Sequence, residues 1–183
     1  MRSWLAAFLC LSTVTGTSLA AENQYRGISF PPNEFYEALI GYAQGADYTS
    51  LSRALSYLNP LFAALERHFH ENIKSVLQAA IEQRNPQRVQ SAVIRCLLLD
   101  MEFNLDAAGS ESAESPRKER ILMAYTNYTY LSPILAKSHP SRNVSIGMAL
   151  KELYRTPEQS VAQTKIASLD TQLNEITSRE TSP

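Results

Sequence analysis

The stretch Glu66-Arg67-His68-Phe69-His70-Glu71 puts two of the three histidines and two carboxylates into six residues. These side chains ligate metals and move protons near neutral pH. On a helix whose apolar seam is set at zero, His68 falls at roughly −100° and His70 at roughly +100°. The two imidazoles diverge and cannot share an ion; an H-x-H chelate needs a strand, where alternate residues share a face. Glu66 and His70 are four apart and meet on one flank of the seam. A second helix would have to supply further ligands, and Asp100 is the candidate, because helical spacing puts it on the apolar seam of the next segment. A buried carboxylate is costly unless it is paired, hydrogen-bonded or bound to a cation. The pattern therefore predicts one of two arrangements. Either Asp100 has a structural partner, such as the hydroxyl of Tyr125 or Tyr128 or the guanidinium of Arg53, or Glu66, His70 and Asp100 form a metal site with Tyr125 and Tyr128 behind them. One histidine among oxygen ligands would suit iron or manganese.

His68-Phe69-His70-Glu71 also resembles, over four residues, the His-x-x-Glu motif of imelysin-like periplasmic iron proteins. The glycine-rich surroundings of that family are missing, and no function is carried over. Glu102 and Asp106 read as solvated, and Cys96 as a small buried hydrophobe. No G-x-S-x-G, phosphate-binding loop, C-x-x-C or C-x-x-C-H sequence occurs, which argues against the corresponding hydrolase, nucleotide, redox and covalent haem classes. Asn127-Tyr128-Thr129 and Asn143-Val144-Ser145 match the N-glycosylation sequon.

The elements that must position these residues are helices, because apolar residues recur at three and four rather than at two. Leu51, Leu55, Leu58, Phe62, Leu65, Phe69, Ile73, Val76 and Ala80 fall within about 40° of one line. They predict one long helix, kinked or broken near Pro60. A second runs from Pro86 to Ala108 with Val89, Ala92, Val93, Cys96, Phe103 and Ala107 inward. Residues 109–115 read as a loop, Pro116 restarts a helix, Ser132-Pro133 ends it, and 138–145 reads as a connector. A short helix follows near 146–154, and the last carries the seam Ala162, Ile166, Leu169, Leu173 and Ile176. The expected fold is all-α: an up-down antiparallel bundle of about four main helices with short accessory ones.

At the N-terminus, Arg2, the apolar run from Trp4 to Leu11 and Ser18-Leu19-Ala20 read as a signal peptide over 1–20. An irregular lead over 21–33, one bundle domain over 34–177 and a disordered tail over 178–183 complete the expected organisation. Cleavage leaves 17 − 1 = 16 basic against 18 acidic side chains and a single cysteine, Cys96. That balance offers nucleic acid no electrostatic support, and an internal disulfide is impossible. No segment is apolar over the length a membrane span needs. The expectation is an exported protein, periplasmic or secreted. It acts as a non-enzymatic accessory or binding module for a protein partner or small ligand, with the iron- or manganese-binding bundle as the competing reading.

Overall fold

The computed structural model describes residues 32–156 and 158–180. The expected signal peptide, residues 1–20, and residues 21–31 of the expected lead lie outside them. Among the described residues every element is an α-helix: α1 (Pro32–Gln44), α2 (Tyr48–Tyr57), α3 (Asn59–Phe69), α4 (Ile73–Glu82), α5 (Pro86–Ser110), α6 (Glu114–Ser138), α7 (Pro140–Tyr154) and α8 (Gln159–Glu180). None of them is long and apolar enough to cross a membrane.

The segment expected as one long helix is three. The first interruption, at Leu58, is slight. Its N–H bonds the carbonyl of Leu55, its own carbonyl accepts from Phe62, and Pro60 falls in the opening turn of α3. A proline there removes a donor that would be unsatisfied anyway, so the buried seam of Leu51, Leu55, Leu58, Phe62 and Leu65 continues across the joint. The second interruption is sharper, because His70 adopts left-handed geometry at φ 56° and ends α3. Residues 70–72 reset the helical phase. Leu77 and Ile81 are buried in α4, whereas Val76, expected on the seam, is 60% exposed.

α5 is the axis of the fold. Asn85 caps it by accepting the N–H of Arg88 at 3.1 Å, with Pro86 at the first helical position. It packs against α1, α3, α4, α6 and α8, and every residue from Cys96 to Glu102 is buried. The expected single inner face is thus too narrow, and Phe103 and Ala107 are only partly covered.

The later connections are also shorter than expected. α5 continues to Ser110 and α6 starts at Glu114, two residues before Pro116. Pro133 lies inside α6 without ending it, since one missing N–H is tolerated where packing holds the helix on both sides of it; Leu131 and Leu135 are both buried. His139 alone separates α6 from α7, whose Pro140 needs no donor at the first position. In α8 all five predicted seam residues are buried. Its helix reaches Glu180, so residues 178–180 of the expected disordered tail are helical and 181–183 lie outside the described residues.

α6 and α7 approach closely where Gly147 faces Tyr128. The Tyr128 hydroxyl donates to the carbonyl of Asn143 at 2.8 Å, and a Cβ on residue 147 would lie 2.6 Å from that oxygen and 3.0 Å from the ring carbon bearing it. Gly147→Ala adds about 1 kcal/mol of helix propensity but overpacks the contact, a cost of about 1 to 3 kcal/mol. A net loss of stability is expected in denaturant melts, and a smaller loss when Tyr128→Phe has removed the hydroxyl.

Candidate functional site

Enclosure of α5 governs its polar residues. Asp100 is fully buried, and its Oδ1 accepts from the Asn104 side-chain amide at 3.1 Å, which also bonds the Asp100 carbonyl at 2.8 Å. Asn104 Oδ1 in turn accepts from the guanidinium of Arg120 on α6 at 3.2 Å. Asn104 and Arg120 are buried, as is Arg117, which donates to the Glu111 carbonyl at 3.4 Å. Asp100 thus has a structural partner of the kind its burial requires. Asn104 supplies the bond from the next turn of the same helix, and Tyr125 and Tyr128 face α7.

Glu66 and His70 have separate surroundings. The Glu66 carboxylate accepts the backbone N–H of Lys74 at 2.9 Å, capping the first turn of α4 from the helix before it. His70, exposed in its left-handed conformation, no longer continues the helix on which an i, i+4 pairing with Glu66 depends. Among the described residues, no group of three or more His, Cys, Asp or Glu side chains could hold a metal ion. Glu66, His70 and Asp100 are therefore not gathered into a ligand set.

The other two members of the opening hexapeptide reach α5. His68 Nε2 lies 2.7 Å from the carboxylate of Asp106, its ring edge-on to Phe69 and Phe103, and Glu71 pairs with Arg95. Next to these pairs lie two carboxyls that the sequence pattern did not single out. Glu102, read as solvated, is 6% exposed and has one oxygen buried without a hydrogen bond. Burial, with Asp170, Asp106 and Glu71 adding negative charge and Arg95 opposing it, raises its pKa to about 7. Asp170 of α8 is likewise raised to about 7, by burial and then by Asp106. The Cys96 thiol is free and buried, and burial and Asp100 push its pKa far above the ordinary range, which removes it as a nucleophile.

A groove runs between α6 and α7 on the described surface. Two adjoining cavities of 470 Å³ and 430 Å³ share Tyr125 and Lys151. On α6 the lip is Leu122, Tyr125, Thr129 and Pro133; on α7 it is Val144, Met148, Lys151 and Tyr154, with Gly147 in the floor. Leu122, Val144, Met148 and Tyr154 are 43 to 60% exposed. The signal for this stripe was present as the spacing four, three, four of 118, 122, 125 and 129 and of 144, 148, 151 and 155. It is a second helical face on each element, opposite in purpose to the core seam.

Asn127 lies on the core-facing side of α6, in line with the buried Arg120, Ala124 and Leu131. Asn127 is 4% exposed, so its sequon is closed to modification in the folded chain. Comparison with protein-family models, curated proteins and solved structures finds no match to this chain.

Two outcomes test the polar interior. Arg120→Met leaves the buried Asn104 amide oxygen without the guanidinium that bonds it and is expected to cost about 1 to 3 kcal/mol in chemical unfolding, the size of a buried acceptor left unsatisfied. For Glu102 and Asp170 the folded pKa lies above the unfolded one, so the folded state binds more protons between about pH 4 and 7. Stability should fall as pH rises through that window and level off above it. Glu102→Gln should raise the unfolding free energy at pH 8 by about 1 to 2 kcal/mol and flatten the profile, as read by denaturant melts from pH 5 to 8.

Proposed function

We propose that this chain is an exported, non-enzymatic binding module that receives a helix of a partner protein along the α6–α7 groove. The single observation that carries the reading is the stripe of Leu122, Tyr125, Val144, Met148 and Tyr154 left open between two packed helices. Contiguous exposed apolar surface of this kind is a recurrent mark of an interaction site, and an amphipathic helix lying in an apolar groove is a common mode of recognition. Export rests on the N-terminal pattern of Arg2, the apolar run and Ser18-Leu19-Ala20.

The body of the module is an up-down arrangement of α5 to α8. Arg120 with Asn104, Tyr128 with Asn143, Lys165 with Glu152, Arg142 with Glu175 and Gln163 with Gly109 support it. Each of these links joins neighbouring helices at points that approach as one chain ascends and the next descends. Such a frame would hold both lips of the groove, with Tyr128 in the floor supplying one of the links.

A phage-displayed library of amphipathic helical peptides, panned against the mature chain, is expected to yield binders of micromolar affinity. The double substitution Leu122→Glu with Met148→Glu, at exposed positions that leave the fold intact by circular dichroism, should weaken them by at least about thirtyfold, or roughly 2 kcal/mol. Binders indifferent to both substitutions would sink the assignment of the groove.

A further inference from the structure

We infer that the partner helix carries carboxylates on the turn that lies over Lys151 and Arg155, so that charge fixes which end of the groove it occupies. The inference rests on the helix-in-groove reading and deepens it. The cations are gathered at one end: Lys118 lies 5.7 Å from the ring centroid of Tyr154, and Lys151 and Arg155 line the cavity that contains Leu122, Tyr125 and Tyr154. The far end is lined by Thr129, Ser132, Pro133 and Val144, none of them charged.

The nearby acids leave two of these cations unpaired. Lys118 is paired with Glu114 at 2.6 Å, but Glu152 turns away to Lys165 of α8 at 2.9 Å. Glu158 lines a cavity on the other side of Arg155 without an ion pair to it. Lys151 and Arg155 are exposed and have no carboxylate partner among the described residues. A chain with surplus acid overall thus presents unpaired positive charge beside its open apolar groove. An occupant with apolar anchors and a carboxylate-bearing turn complements both, and opposite potentials across an interface fix register and suppress wrong partners.

Shape favours a helix over a bilayer. The lips run from Leu122 to Pro133 and from Val144 to Arg155, roughly 17 Å each at helical rise, or about three turns. The floor between them at Gly147 and Tyr128 is recessed, and a flat lipid surface would touch the lips alone.

The test uses two synthetic helical peptides with the same leucine stripe, one with glutamates on a terminal turn and one with lysines there, titrated into the mature chain by fluorescence anisotropy. The glutamate peptide is expected to bind at least about tenfold tighter, with the preference shrinking at high salt. Lys151→Glu with Arg155→Glu should reverse the preference; should that variant fail to fold, Lys151→Ala with Arg155→Ala should abolish it. Equal affinity for the two peptides overturns the charge inference and leaves the groove reading standing. Binding of neither peptide overturns both, and if phosphatidylserine vesicles are then bound through Lys151 and Arg155, the surface belongs to a membrane.

Discussion

A helix enclosed on every side cannot turn its polar residues to water, and the structure is organised around that constraint on α5. From Cys96 to Glu102 no side of this helix is open, yet the stretch includes Asp100 and Glu102. Asp100 is accommodated by an amide one turn away and, through it, by Arg120 of α6, so the strongest interhelical packing in the bundle is also chemically keyed. Such a key specifies register: sliding α6 along α5 by one turn would leave carboxylate and guanidinium buried apart, at a cost of several kcal/mol. Glu102 is accommodated differently, by retaining its proton near neutral pH rather than by finding a partner.

The all-helical class and the seams of α3 and α8 were legible in the sequence, because apolar spacing is a local property. Breaks were less legible. Pro60 and Pro133 look alike to a local rule, but the first coincides with a joint between helices and the second does not, and the difference lies in what packs around them. The break at His70 had no proline or glycine to announce it. Its effect was readable only as an inconsistency, since a seam running through Val76 displaces Leu77 and Ile81 from the core.

The candidate site was legible in part for a related reason. Sequence spacing identified Asp100 as a residue in need of partners, but not Asn104 and Arg120, whose roles depend on which helix lies opposite. Glu102 was misread as solvated because a single-face picture of α5 has an outside and the folded helix has none there. The groove was overlooked because attention to core seams treats a second apolar stripe as surface variation. Leu122 and Met148 acquire meaning only when α6 and α7 are side by side.

The enclosure of Asn127 has a consequence for how the protein is made. Oligosaccharide transfer in a secretory pathway acts on chain that is still unfolded, when Asn127-Tyr128-Thr129 is accessible whatever its later environment. A sugar attached at that stage would sit on a side chain that the finished molecule leaves 4% exposed, and α6 could not close against its neighbours around it. In a host that glycosylates its exported chains, folding and glycan attachment would therefore compete at Asn127. For production of the protein, an expression host without the transferase would remove that competition, and one with it would set folding speed against sugar transfer.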